Sequence, residues 1–364
     1  MEQYRNWLAL KQVPGIGNVL YKRLIDTFVT PEAVFAADEA ALLQVEGLSE
    51  RSAEEILSFS AFDAADREWE KIQKEGAYLL CLTDADYPPL LAAIYDPPPL
   101  LYLKGKTPWR SDDPSFPLAV VGSRKTSPYG KSVTEKLCRA LAQGGIAIVS
   151  GFARGIDGIA HREALAAGGD TIAVLGCGID VIYPTEHRQL YNEIKARGTL
   201  ISEFPIGAPP EAHHFPQRNR MISGLSLGCL VVEASLKSGS LITARLALEQ
   251  GREVFAVPGP IFSEGSAGPH QLIASGAKLV QRIEDILDEI LPQSARSTER
   301  PVAEPPPLEA EEALVYRLLS FEPKHIDLLI QESQKAASEV SGLLLGLELK
   351  GAVRQMAGQF YAKL

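Results

Sequence analysis

The sequence predicts an α/β fold, a parallel sheet with helices on both faces, from three observations. A strand, a glycine turn and a helix open residues 116 to 155, and a second strand closes on another glycine. Strand and helix signals then keep alternating as far as residue 280. Successive strands end in loops of small residues, hydroxyls and cations, the pattern of an open sheet whose strand ends share one ligand-binding rim.

In the first of these units Leu118-Ala119-Val120-Val121 is short and apolar and stops at Gly122-Ser123-Arg124. It reads as a buried parallel strand ending in a tight turn. Ser127 is placed to N-cap the next helix with Pro128 at its first position, and Val133, Leu137, Cys138 and Leu141 recur at helical spacing up to Gly144-Gly145. Ile146 to Val149 is the second strand and ends in Ser150-Gly151. Glycine lets a ligand approach the backbone, and free amides at a helix start attract phosphate. Charge points the same way. Between Gly122 and Ala164 seven lysines and arginines face three acids, whereas the whole 364-residue chain carries −10. Local positive charge in an acidic protein marks an anion site.

The length accommodates two or three domains. Residues 1 to 75, net −6, read as a separate helical domain of helix–hairpin–helix (SAM-like) type. Val13-Pro14-Gly15-Ile16-Gly17 lies between apolar helical segments, and Leu43 to Leu57, with Gly47-Leu48, is a weaker second copy. Such hairpins can hold a DNA backbone through glycine amides. The glutamates of the second copy favour a packing or partner-binding role instead. The start, MEQYRNWLALKQ, has neither a signal peptide nor a membrane segment. The four cysteines form no C-x-x-C pair, so buried free thiols and a cytoplasmic setting are expected.

Residues 76 to 290 hold the sheet. Their first part, to about 110, reads as an extended, proline-punctuated layer laid against it. Strands are expected at Thr171 to Leu175, Leu200 to Phe204, Cys229 to Glu233, Glu253 to Val257 and Lys278 to Val280, with helices at Pro184 to Lys195 and Leu241 to Glu249. Residues 291 to 307 are a proline-bearing linker. Residues 308 to 364, net −2, carry three helical segments and a hairpin and read as a winged helix. The expected recognition helix opens Ala336-Ala337-Ser338-Glu339-Val340 without a cation after Lys335, which favours protein contact over duplex reading.

The chemistry gathers at strand ends. Gly151-Phe152-Ala153-Arg154-Gly155-Ile156-Asp157 follows one strand, Phe215-Pro216-Gln217-Arg218-Asn219-Arg220 precedes another, and Lys237-Ser238-Gly239-Ser240 follows it. Phe152 and Phe215 read equally as base-stacking rings or as packing against their glycine and proline turns. Asp157 and His161, one helical turn apart, read as a structural network rather than a catalytic pair. His213-His214 reads as a solvated loop with no carboxylate or cysteine at metal-ligand spacing. No catalytic residue, metal ligand or cofactor is assigned.

In order, GSR at 122, SGFARGID at 150, HREAL at 161, GCGIDVIYP at 176, ISEFPIG at 201, FPQRNRMISGLS at 215, the run from Val231 to Gly259 and LIASGAK at 272 resemble the DNA-processing protein A (DprA/Smf) family over about residues 76 to 290. The resemblance implies a Rossmann-like sheet and a non-enzymatic protein that binds single-stranded DNA, forms a homodimer and loads RecA recombinase in natural transformation and DNA recombination. It places Gly122, Ser123 and Arg124, with Lys125 beside them, on a phosphate-binding turn. Arg218, Asn219 and Arg220 fall on a basic loop, and Lys237 to Ser240 on a strand-end loop. Gly151, Phe152, Arg154 and Phe215 complete the expected DNA-binding set. His187 and Pro269-His270 depart from the family pattern, which has asparagine near both places.

A different class stays in view, because the sheet also resembles the nucleoside-monophosphate phosphoribohydrolases of the LOG, lysine-decarboxylase-like type. Their G-T-x-x-E motif, set on Gly239-Ser240-Leu241-Ile242-Thr243, finds threonine where the glutamate belongs. A hydroxyl is a poor general acid–base near neutral pH. A dinucleotide oxidoreductase fits less well, since Gly122-Ser123-Arg124 is no G-x-G-x-x-G.

Overall fold

The computed structural model describes residues 2–107, 116–291, 308–320, 323–356 and 358–363. It divides into two compact units, residues 1–292 and 293–364. Most of the expected linker lies outside the described residues.

The first unit begins with six helices: α1 (Glu2–Gln12), α2 (Asn18–Phe28), α3 (Pro31–Ala36), α4 (Glu39–Leu42), α5 (Glu50–Leu57) and α6 (Phe62–Lys74). The two hairpin turns each place a glycine at φ 82°, Gly15 between α1 and α2 and Gly47 between α4 and α5. A side chain is strained there, so the repeat read from sequence has a backbone cause. The helices do not stand apart from the sheet. Trp7, Leu10, Tyr21 and Leu24 share one buried cluster with Leu79, Tyr102, Ile194 and Leu200.

The sheet follows as β1 (Tyr78–Cys81), α7 (Pro89–Ala92), β2 (Leu100–Gly105), β3 (Phe116–Val121), α8 (Pro128–Gln143), β4 (Ile146–Ser150), α9 (Ile156–Ala166) and β5 (Thr171–Val174). A 3-10 turn, Thr185–His187, then leads into α10 (Arg188–Arg197), β6 (Thr199–Ser202), α11 (His214–Gly224), β7 (Gly228–Val231), α12 (Ser240–Glu249), β8 (Glu253–Ala256), α13 (Glu264–Ala274), β9 (Lys278–Leu279) and α14 (Glu284–Ile290). The strand order is β1-β2-β6-β5-β4-β3-β7-β8-β9. From β6 to β9 the pairs are parallel, while β1–β2 and β2–β6 are antiparallel. The expected proline-punctuated layer is thus corrected: its ends are strands of the same sheet, β1 at the edge and β2 next to it, and the prolines at 88, 89, 97, 98 and 99 sit in the connection, where no ladder amide is needed.

Alternation along β3 sends Leu118 and Val120 to one face of the sheet, with Leu137, Cys138 and Ile156. Ala119 and Val121 go to the other, with Met221, Ile222 and Ala244. Both faces are covered by helices. All four cysteines are buried free thiols, and burial pushes Cys177 up to about 11 and Cys229 up to about 12. No helix among the described residues is long and apolar enough to cross a membrane.

The second unit is a winged helix: α15 (Ala310–Leu318), β10 (Lys324–His325), α16 (Ile326–Ser333), α17 (Ala337–Leu349), β11 (Val353–Met356) and β12 (Phe360–Lys363), its sheet ordered β10-β12-β11. Val315, Leu329, Val340, Leu344 and Leu347 form its core. Helix α17 contains no lysine or arginine and exposes Leu345 and Leu349.

Candidate nucleic-acid interface

From β3 the chain adds β4, β5 and β6 on one side, then returns to lay β7, β8 and β9 on the other. Loops leaving β3 and β7 therefore part in opposite directions and leave a crevice at the carboxyl ends of the strands. A cleft of about 900 Å³ lies there. It is lined by the turn from Gly122 to Lys125, by Ser235, Ser238, Gly239 and Ser240 at the start of α12, and by Phe215, Arg218 and Asn219 of α11.

The turn after β3 is shaped by its own hydroxyl: Ser123 Oγ accepts from Lys125 N at 3.1 Å and donates to Lys125 O at 2.8 Å. The carbonyl of Ser123 accepts from Ile156 N at 3.2 Å, clamping the turn to the start of α9. Gly155 is required for that clamp. Its φ is 73°, and a Cβ would lie 2.2 Å from Ser123 O. Arg124 and Lys125 project into solvent and make no ion pair among the described residues. The Arg124 guanidinium stands 5.7 Å from the centre of the Phe215 ring.

Ser127 does N-cap α8, its Oγ accepting from Gly130 N at 3.0 Å. The expectation that this helix start is open to phosphate is corrected, because the buried carboxylate of Glu233 occupies it. Glu233 accepts from Ser127 N at 3.0 Å and from Ser127 Oγ. A Cβ on Gly130 would lie 2.1 Å from that carboxylate. The chain's own acid neutralises the helix dipole. Anion-holding capacity at the rim therefore rests on the Arg124–Lys125 turn and on the start of α12. There Gly239 supplies no side-chain cap, the Ser238 and Ser240 hydroxyls meet at 2.7 Å, and Lys237 is exposed.

The expected basic loop is instead the first turns of α11. Pro216, expected in a turn, sits in the first turn of this helix, where no intrahelical donor is lost. Its arginines point inward. Arg220 is 6% exposed, lies 3.2 Å from Asp96 Oδ2, donates to Asp96 O at 2.8 Å and pairs with the buried Glu203. That corrects Arg220 from a phosphate contact to an ion pair that holds the wall. Arg218, 4% exposed, borders the cleft but donates to Gly151 O at 2.6 Å and to Val174 O, and burial lowers its pKa to about 10. Asn219 reaches Gly239 O at 3.4 Å, tying α11 to the start of α12.

Gly151 has both backbone groups engaged, its amide donating to Asp157 Oδ2 at 3.1 Å. Phe152, at φ 58° and 1% exposed, packs edge-on against His187 at 5.2 Å, so the stacking reading is corrected for this ring and left to Phe215. Arg154 is exposed and pairs with Glu186. Lys237, Arg154 and Arg220 are absent from the lining of the main cleft; Arg154 borders a small recess beside it.

Asp157 and His161 each have structural partners of their own, and no hydrogen bond joins them among the described residues. Asp157 accepts from Gly151 N and Ala153 N, and burial raises its pKa against the pull of Arg218. Thr171 donates its hydroxyl to Ile148 O, so His161 Nδ1 carries the proton and donates to Thr171 Oγ1 at 2.7 Å. His161 Nε2 is buried with no hydrogen-bond partner among the described residues. Burial lowers the His161 pKa from 6.5 to about 3. The unfolded chain then binds the proton near pH 6.5 and the folded chain only near pH 3, so stability falls as pH drops through that window, by about 1.4 kcal/mol per pH unit from this group. Urea titrations between pH 6.5 and 4.5 should show a slope steeper by that amount than in His161→Leu. Parallel curves would mean that the buried imidazole is not kept neutral.

Fold and cleft together define a protein of the Rossmann type with a switch-point crevice bordered by exposed cations, and with helix–hairpin–helix and winged-helix parts in the same chain. Comparison with known proteins narrows the class. The family model for DNA recombination-mediator protein A matches residues 78–291, that for the DprA winged helix domain residues 299–359, and that for the SAM-like helix-hairpin-helix tandem residues 8–60. Protein Smf of Escherichia coli K12 is 42% identical over 334 residues, 88% of this chain and 87% of that one. The DNA processing protein DprA of Streptococcus pneumoniae is 47% identical over 209 residues, 57% of this chain and 72% of that one. The X-ray structure of S. pneumoniae DprA superposes with a TM-score of 0.69 at 36% identity, covering 79% of this chain and 98% of that one. A Helicobacter pylori DprA structure, described for its single-stranded DNA binding mode, superposes at 0.52 with 32% identity over 58% of this chain and 94% of that one. The chain belongs to the DNA recombination-mediator protein A (DprA/Smf) family.

Proposed function

We propose that the cleft between the β3 and β7 loops holds the sugar–phosphate backbone of single-stranded DNA, and that the protein acts as a non-enzymatic binder. The observation that carries this is a pair of exposed cations, Arg124 and Lys125, that make no ion pair among the described residues, on a turn held in shape by Ser123 and flanked by Phe215. Phosphate contacts supply affinity without sequence information, and an aromatic face accepts any base. The Helicobacter relative described for binding single-stranded DNA supports the same ligand. Gly122, Ser123 and Gly239 bring backbone to the ligand, the Ser238–Ser240 hydroxyl pair offers one remaining donor, and Lys237 extends the positive rim. Arg218 and Asn219 hold the wall. Pairing of two copies, loading of RecA recombinase, a part in natural transformation and a cytoplasmic setting belong to the same proposal and rest on family membership. The winged helix, with a cation-free α17, is assigned to protein contact.

A gel-shift series with single- and double-stranded oligonucleotides tests the reading. Single strands should shift at lower protein concentration regardless of sequence, and preferential duplex binding would overturn it. Nucleoside monophosphates incubated with the pure protein should survive intact, because Thr243 stands at the position a catalytic glutamate would need. Release of free base in proportion to protein, abolished in Ser240→Ala, would install the phosphoribohydrolase reading instead.

A further inference from the structure

The end of the loop between β6 and α11, with the first residue of that helix, brings three ligand-capable side chains together. His213-His214 does have a carboxylate at hand: the turn in which His214 N donates to Glu211 O at 3.0 Å carries Glu211 back to both rings. One ligand-capable atom from each of Glu211, His213 and His214 lies within 4.8 Å of the others. Glu211 Oε2 and His213 Nδ1 are 3.3 Å apart. Two ligands each bound at about 2.0–2.1 Å to a tetrahedral ion are separated by about 3.3–3.4 Å, so this edge already has the right length. The ring of His214 is held by stacking on Phe204, centroids 4.0 Å apart at 28°. Its Nδ1 lies 3.2 Å from Pro209 O, so Nδ1–H donates to that carbonyl and Nε2 keeps its lone pair. An imidazole oriented by a backbone carbonyl through one nitrogen is the usual partner arrangement of a metal ligand.

We propose that Glu211, His213 and His214 bind one divalent transition-metal ion of the zinc class. Two imidazoles and a carboxylate suit zinc, cobalt or nickel and offer too few oxygens for magnesium or calcium. Three protein ligands leave a coordination position open. Pro210 and Ala212 of the same loop line the cleft, so the ion adds positive charge at its edge. Metal binding stands independently of the proposed function; only its effect on strand binding rests on that reading.

The test uses the untagged full-length chain, stripped with a chelator and titrated with Co2+ while visible absorption is recorded. One Co2+ should bind per chain, be displaced by Zn2+ and be indifferent to Mg2+. Glu211→Gln and His213→Ala, both at exposed positions, should each weaken binding by at least about 10- to 100-fold, the loss typical even of outer partners. His325→Ala is the control. His325 lies 3.3 Å from Asp327 without a third such ligand among the described residues, so it should change nothing. Absence of stoichiometric Co2+ binding, or variants that bind like the wild type, would overturn the site. In a second arm, Zn2+ should tighten binding of a single-stranded oligonucleotide to the wild type and not to His213→Ala. Metal binding with no change in strand affinity would leave the site standing and remove its link to the cleft.

Discussion

Alanine at Arg220 is expected to cost about 3–5 kcal/mol of stability and to leave the salt dependence of strand binding unchanged. The guanidinium lies between Glu203, itself 4% exposed, and Asp96, and it joins α11 to the end of β6 and to the connection between β1 and β2. Removing it strands the Glu203 carboxylate in a buried place, and a buried charge without its partner is penalised far more than the pair was worth. The same carboxylate accepts from Asn18 Nδ2 at 3.3 Å, at the start of α2, so the loss reaches the helical region as well. Urea unfolding of Arg220→Ala and of the double variant Arg220→Met with Glu203→Leu separates the causes. The double variant should recover most of the loss. A stable Arg220→Ala with a flattened salt slope would return this arginine to the DNA-contacting set.

Removing Arg124 has the opposite signature: full stability and a changed salt slope. Arg124 is exposed and makes no ion pair among the described residues, so little folding energy depends on it. Each phosphate contact to a single strand contributes about 0.7 to the slope of log K against log salt. Arg124→Ala should flatten the slope by about that amount and weaken all oligonucleotides alike. Arg124, Lys125 and Lys237 replaced together should lower the slope by about 2 if each holds one phosphate. Arg139→Ala, on α8 and paired with Glu163 at 2.8 Å, is the control and should leave binding as it was. Fluorescence anisotropy of a labelled oligonucleotide over a salt series reads both quantities. A folded triple variant with the wild-type slope would place the DNA elsewhere on the molecule.

The sequence by itself determined the alternation of strands and helices, the Ser127–Pro128 helix start, the paired glycine hairpins and the winged helix, because these depend on local periodicity, capping and positive φ. It also determined that cations and small residues gather at strand ends. What it could not decide was which cations are free. Arg124, Arg218 and Arg220 look alike in a string of letters, yet Arg218 and Arg220 lie on a helix whose inward face meets Gly151, Glu203 and Asp96, partners 67, 17 and 124 residues distant. The same holds for Glu233, 106 residues from the helix start it caps. It holds also for Phe152, whose ring is turned inward at positive φ onto His187. Burial and long-range charge pairing arise only when the sheet assembles its strands out of sequence order, and so the tertiary structure alone decided which side chains build the wall and which stay exposed at the rim.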